Sequence, residues 1–242
     1  MPGDGAAAPR DAVSAALLLL TAASGALDAV TYLALDHAFA ANMTGNVLFL
    51  GFALAGAGDV PLAGTVVALA AFVVGAVVGG RSVPRTSSPA VARATVATLA
   101  ALTVAMVLVG GAWLAVPRLG QTTVLVTTGL LAGLSGVQAA AVKPLGNAAI
   151  TTVVVTGTLV DLARDSRVAG APSGPRHVRR DRALAVVALM AGAALGAVLV
   201  RELTAPLALG GSVLLRAAAV VVLARAARGE RDAAPTAGPG RR

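Results

Sequence analysis

The sequence predicts an all-α membrane protein: six transmembrane helices plus two broken, re-entrant helical segments, arranged as an inverted three-plus-three internal repeat. Three observations carry that prediction. The first is composition, since 57% of the 242 residues are apolar and only 12% are charged, against roughly 25% charged in soluble domains. The second is the presence of long uncharged runs at spanning length. The third is a pair of similar polar motifs, one in each half. A soluble enzyme is excluded by the first alone, because the remaining polar residues cannot cover a water-facing surface. The formal charge of +8 is not a nucleic-acid signature, since aromatic residues are 2% of the chain and the arginines sit between apolar runs. The absence of cysteine removes disulfides, thiolate nucleophiles and cysteine metal sites. No cofactor or metal is expected.

A helix crossing the hydrocarbon needs about 20 mostly apolar residues. Runs at 12–35, 60–80, 94–116, 120–142, 183–200 and 203–224 meet that length. Asp59 followed by Pro61, and Thr204 followed by Pro206, supply helix-start chemistry before the second and sixth runs. The first run opens like a signal peptide, with Arg10 before an apolar core and small residues at 22–25. Its apolar character continues to Leu35, so it reads as a span. Two further stretches, 38–58 and 146–163, carry polar, glycine-containing interruptions: Asn42-Met43-Thr44-Gly45-Asn46 and Thr156-Gly157-Thr158. The 11 residues 47–57 are too short to cross, which predicts re-entrant segments.

Charge placement supports that count. With six spans and the amino terminus inside, 16 of the 19 basic residues fall on the inner side; with eight spans the split is 13 inside and 5 outside. The positive-inside rule favours six, with both termini cytoplasmic. The expected organisation is a cytoplasmic tail at 1–11, one transmembrane domain at 12–226 (repeats 12–116 and 120–226) and a disordered cytoplasmic tail at 227–242. The six-arginine loop 164–182 is expected to be solvated, facing the cytoplasm and anionic lipid.

The two halves match at several points. Ser24-Gly25-Ala26-Leu27-Asp28 parallels Ser135-Gly136-Val137-Gln138; Met43-Thr44-Gly45-Asn46 parallels Val155-Thr156-Gly157-Thr158; Gly75 and Gly79 parallel Gly192 and Gly196. Three crossings per half force opposite orientations, the architecture of many secondary transporters with a site between the repeats. Candidate substrate-binding residues are therefore Asn42, Thr44, Gly45, Asn46, Gln138, Thr156, Gly157 and Thr158. Their short polar side chains repair backbone groups freed by a break, and helix starts favour anionic or carbonyl-bearing groups; the bland alternative is a buried polar knot that holds a turn.

Asp28, an intramembrane carboxylate, is the candidate for proton coupling. Gln138, which cannot titrate, stands at the corresponding place in the second half. Arg216 lies about twelve residues into the last run, too deep to snorkel, and needs a charge partner, with Asp28 or Asp161 the candidate acids. Glycine pairs at 75/79, 129/133 and 192/196 should pack the bundle internally, and a homo-oligomer stays open. Ser135 sits in a Gly133-Leu134-Ser135-Gly136 segment, yet the two histidines, His37 and His177, fall in loops where neither can activate it. An enzyme is not expected.

The segments 24–29, 39–46, 136–140 and 151–159 together resemble the YoaK family of bacterial integral membrane proteins over about 13–224. That resemblance implies a cell-membrane location and a multi-spanning helical domain of a family described as candidate transporters. The chain departs from the family pattern in carrying Ala139, where a Gln-Asn-Ala-type segment has asparagine. The expected function is a secondary transporter or permease of a small solute, with the lipid bilayer as its surroundings and no nucleic-acid partner. The alternative is a non-transporting scaffold or sensor that uses its cytoplasmic arginine loop.

Overall fold

In the computed structural model the described residues are 7–58, 60–84, 89–116, 120–145, 155–166, 169–170 and 175–232, and among them regular structure is helical throughout. The helices are α1 (Ala7–Ala34), α2 (Met43–Leu54), α3 (Leu62–Ser82), α4 (Pro89–Leu114), α5 (Gln121–Val142), α6 (Val155–Arg164), α7 (Arg176–Glu202) and α8 (Ala205–Asp232). A 3-10 turn, Lys143–Leu145, follows α5. Six helices, α1, α3, α4, α5, α7 and α8, are long and apolar enough to cross a membrane, and α2 is a shorter apolar helix. Their outward residues are apolar too: Val74 is 63%, Leu108 67% and Leu214 71% exposed, a surface suited to lipid because helices satisfy their own backbone groups.

Helix ends differ from expectation in an informative direction. The last helix continues through 227–232 to Asp232, where a disordered tail was expected. The start of α7 at Arg176 takes most of the arginine stretch into a helix. Ionic contacts hold it there: Arg182 bridges Asp161 (3.0 Å) and Asp165 (2.6 Å), and Arg180 approaches Asp11 and Asp181, each at 3.7 Å. Apolar runs locate the part of a helix in lipid, whereas charged turns extend it into water.

The centre of the bundle is α1, whose apolar window is 67% buried against 17% for α7. Small residues create that burial. A side chain built on Gly192 or Gly196 of α7 would meet the backbone carbonyl of Ala22 or Ala26 on α1; one built on Gly75 or Gly79 of α3 would meet that of Gly133 or Val137 on α5. Conversely, Gly25 lies against Leu189 and Ala193, and Gly136 against Phe72 and Ala76. These approaches are the close backbone contacts that glycine allows between membrane helices. Sequence numbers rise together along both seams, so α1 runs parallel to α7 and α3 parallel to α5.

Opposite senses appear elsewhere. Along α1, Leu17 and Leu20 share a cluster with Val142, while Leu27 shares one with Leu131, so α5 runs antiparallel to α1. Since α3 follows α5, it also runs opposite to α1. The Asp36 carboxylate beyond the end of α1 lies against Gly64 in the first turn of α3, placing both ends of the intervening segment on one face. Residues 35–61 therefore enter and leave by the same side, as a re-entrant segment must. Residues 35–42 form the non-helical inward arm, with Ala38, Ala40 and Ala41 buried, and α2 forms the outward one.

Candidate functional site

Asp28 lies six residues before the end of α1 and is 8% exposed. Its Oδ1 accepts the backbone N–H of Ala41 at 2.7 Å and of Asn42 at 3.3 Å. A carboxylate at this depth thus supplies an acceptor to two donors that the non-helical arm cannot satisfy itself. Thr31, one turn further along α1, donates its hydroxyl to the Asp28 backbone carbonyl at 3.3 Å.

The polar motif proves to open α2 rather than to be the break, which precedes it at 35–42. Asn42 is the N-cap, its side chain accepting the Gly45 N–H at 3.4 Å. Asn46 is fully buried and clamps the arm: its Oδ1 accepts the Phe39 N–H at 2.9 Å and its Nδ2 donates to the Phe39 carbonyl at 2.7 Å. Gly45 lies inside α2 and has no positive φ. Its role is close approach instead, since a Cβ there would stand 2.7 Å from the Phe39 ring. Phe39 in turn stacks between Tyr32, at 4.9 Å, and Phe49, at 5.8 Å. Thr44 is exposed. In this half the motif is therefore a turn-holding knot, joined to Asp28 through backbone hydrogen bonds.

In the second half Thr156, Gly157 and Thr158 occupy the first turn of α6, with Thr158 buried and Thr156 exposed. Residues 146–154, where the corresponding arm is expected, lie outside the described residues. The helix packs against α7 rather than against α1, α5 or α8, which carry Asp28, Gln138 and Arg216.

The residues that do converge are Asp28 and Ser24 on α1, Gln138 on α5 and Arg216 on α8. Arg216 is 1% exposed and Gln138 2% exposed. One Arg216 amino group donates to Gln138 Oε1; Gln138 Nε2 donates to Ser24 Oγ at 3.3 Å; Ser24 donates to the Leu20 carbonyl at 3.0 Å. An arginine has only donors, which fixes the Gln138 amide with its oxygen toward α8. Asp28 is the acidic charge acting on Arg216, but the two do not close to an ion pair. Asp161, the other candidate acid, is engaged by Arg182. Ser212 adds a tie from α8, donating to the Ala23 carbonyl at 2.7 Å.

Chemically the cluster is a buried, internally ordered set of donors beside one carboxylate, at the crossing of two antiparallel helices. Asp28, Gln138 and Arg216 were legible from the sequence as polar groups in apolar runs. Ser24 and Ser212 were not assigned roles, because a serine in a membrane helix can satisfy itself on a preceding carbonyl. Ser135 does so, donating to Leu131 at 3.0 Å.

Comparison with known proteins gives a consistent result. A family model described as "Protein of unknown function (DUF1275)" matches residues 16–223. The UPF0700 transmembrane protein YoaK of Bacillus subtilis (strain 168) is 34% identical over 149 residues, covering 62% of this chain and 65% of that protein. No solved structure gives a significant match.

Proposed function

The chain belongs to the DUF1275 family, and from that premise we propose that this multi-span membrane protein is a non-enzymatic permease for a small solute. The carrying observation is the Ser24–Gln138–Arg216 chain beside Asp28, buried where α1 crosses the oppositely directed α5. Hydrogen-bonded polar groups are expensive to retain in the middle of apolar helices and there mark solute or ion pathways.

An inverted internal repeat supports the same reading. Pairing Gly25 with Gly136 and Gly75 with Gly192 turns each contact of one glycine seam into a contact of the other: Phe72 and Ala76 against Gly136 correspond to Leu189 and Ala193 against Gly25. Under that pairing Gln138 corresponds to Leu27, not to Asp28 as the motif alignment suggested, and Ser24 to Ser135, so the pseudo-two-fold axis passes between α1 and α5 with the Ser24–Gln138 bond on one side of it and Leu27 and Ser135 on the other. Two halves of opposite orientation can exchange conformations, exposing an axial site first to one side and then to the other. The tight seams make α1 with α7, and α3 with α5, the units that move. Basic residues at one end of the bundle, among them Arg81, Lys143, Arg179 and Arg225, support a cytoplasmic location for both termini in a bacterial cell membrane. The scaffold reading has one arginine fewer to draw on, since Arg182 is engaged by Asp161 and Asp165, while Arg180 stays exposed.

Stopped-flow light scattering of proteoliposomes against glycerol, urea, acetate and phosphate gradients tests the proposal. At least one solute should equilibrate faster than in protein-free liposomes, and Gln138→Leu should reduce that rate about tenfold or more, by removing a binding polar group. Rates equal to those of empty liposomes for every small solute tried would remove the permease reading.

A further inference from the structure

Arg216 presents three nitrogens, and their hydrogen bonding is uneven. The amino group Nη1 donates to Gln138. Nε and Nη2, both buried, have no hydrogen-bond partner. These two nitrogens form one edge of the guanidinium, with parallel N–H vectors at the spacing of two carboxylate oxygens. The side chain is 1% exposed, so bulk water does not compensate that edge. Asp28 does not fill it either: its charge acts on Arg216, but neither of its oxygens hydrogen-bonds that edge, and Oδ1 is held by the Ala41 and Asn42 amides. Buried charged donors are otherwise almost always paired.

We infer that the Nε/Nη2 edge of Arg216 is the binding site for a small carboxylate-bearing solute. Three features fit that ligand class. The edge is bidentate and planar, matching a carboxylate better than a spherical ion. Gln138 holds the opposite side of the guanidinium and Ser24 holds Gln138, so the fork is oriented before a ligand arrives. Asp28, held off the fork by the re-entrant arm, leaves the edge to a second carboxylate while adding a negative charge nearby. That charge keeps binding weak enough for release. The inference rests on the permease reading for its biological meaning, but the site itself can be tested without transport.

The probe is acetate, with acetamide as its uncharged isostere and chloride as a spherical anion. Each is titrated into the purified protein in detergent, with ionic strength held by potassium HEPES, and Trp113 fluorescence follows thermal unfolding. Acetate should raise Tm saturably, by about 2–5 °C at concentrations well above its Kd; chloride should act more weakly and acetamide not at all. Arg216→Lys, which keeps the charge and loses the fork, should weaken the apparent affinity about tenfold. Gln138→Glu keeps Arg216 and brings a carboxylate to its other side; it should abolish the acetate response even if Arg216 variants fail to fold. A lipid source is distinguished by adding phosphatidylglycerol to the micelles. Stabilisation by that lipid in place of acetate overturns the assignment, as does an acetate shift matched by acetamide, no acetate shift in the wild type, or one that persists in Gln138→Glu. An acetate response without flux would sink the permease and leave the site, whereas flux without an acetate response would do the reverse.

Discussion

Asp28 performs two tasks that substitutions can separate. It accepts two backbone amides of the inward arm, and its charge acts on Arg216. Asp28→Asn keeps a carbonyl acceptor at the arm but removes the negative charge; Asp28→Ala removes both. The alanine variant leaves two donors and one buried cation uncompensated, a loss of about 3–5 kcal/mol, and the asparagine variant is expected to cost about 1–3 kcal/mol. At about 2–4 °C per kcal/mol for a chain of this size, unfolding monitored in detergent resolves the two. Equal Tm values for both variants would mean that the backbone acceptor role is negligible. Ser212→Ala, which deletes only the tie to the Ala23 carbonyl, should cost a smaller ~0.6–1.7 kcal/mol. This ranking also explains what the sequence revealed. A charge inside an apolar run is conspicuous because lipid cannot tolerate it unpaired, so Asp28 and Arg216 stood out. The serines that complete their network did not, since nothing in a linear pattern separates a hydroxyl bound to its own helix from one bound to a neighbour.

At the level of helices, glycine position decides which pairs can approach. Gly192 and Gly75 are the structural counterparts in the two seams, each with a carbonyl of the partner helix where a Cβ would be. Gly192→Val and Gly75→Val must push α7 from α1, or α3 from α5. Each should destabilise by about 3 kcal/mol or more, beyond ordinary overpacking, because the colliding atom is backbone. Gly111 on α4 has nothing within 4 Å, and Gly111→Ala should be neutral or stabilising by up to about 1 kcal/mol from helix propensity. Unfolding scans of the three variants check the ordering; a Gly192→Val protein that melts with the wild type would contradict the seam. Spans and glycine stripes were readable because apolar length and small-residue spacing are local properties. The break was displaced by a few residues for a different reason: Asn42, Gly45 and Asn46 look like a helix-breaking cluster in sequence, but they are the cap and clamp of α2, and the arm they hold, 35–42, carries no glycine or proline to mark it.

For the whole molecule, orientation follows from contacts that no single helix specifies. The antiparallel pairing of α1 with α5 and the meeting of Asp36 with Gly64 require residues 35–61 to return to the side they left. If they crossed instead, α3 would run in the same direction as α1, and α5 with it, which the Ser24–Gln138 bond together with the Leu17–Val142 and Leu27–Leu131 groupings opposes. The two arrangements assign exposed positions to different sides. Cysteine placed singly at Ser82 and Gly229 should react with a membrane-impermeant maleimide from one face of intact vesicles, and cysteine at Ala57 and Ala115 from the other. The chain's lack of native cysteine leaves no background. Eight crossings would put Ala57 and Ala115 with Gly229 and leave Ser82 alone on the opposite face, so the four positions discriminate as a pattern and need no absolute assignment of inside and outside. Labelling in that second pattern would also remove the proposed inverted repeat, since two copies inserted in the same direction have no in-plane axis between α1 and α5 about which to exchange conformations.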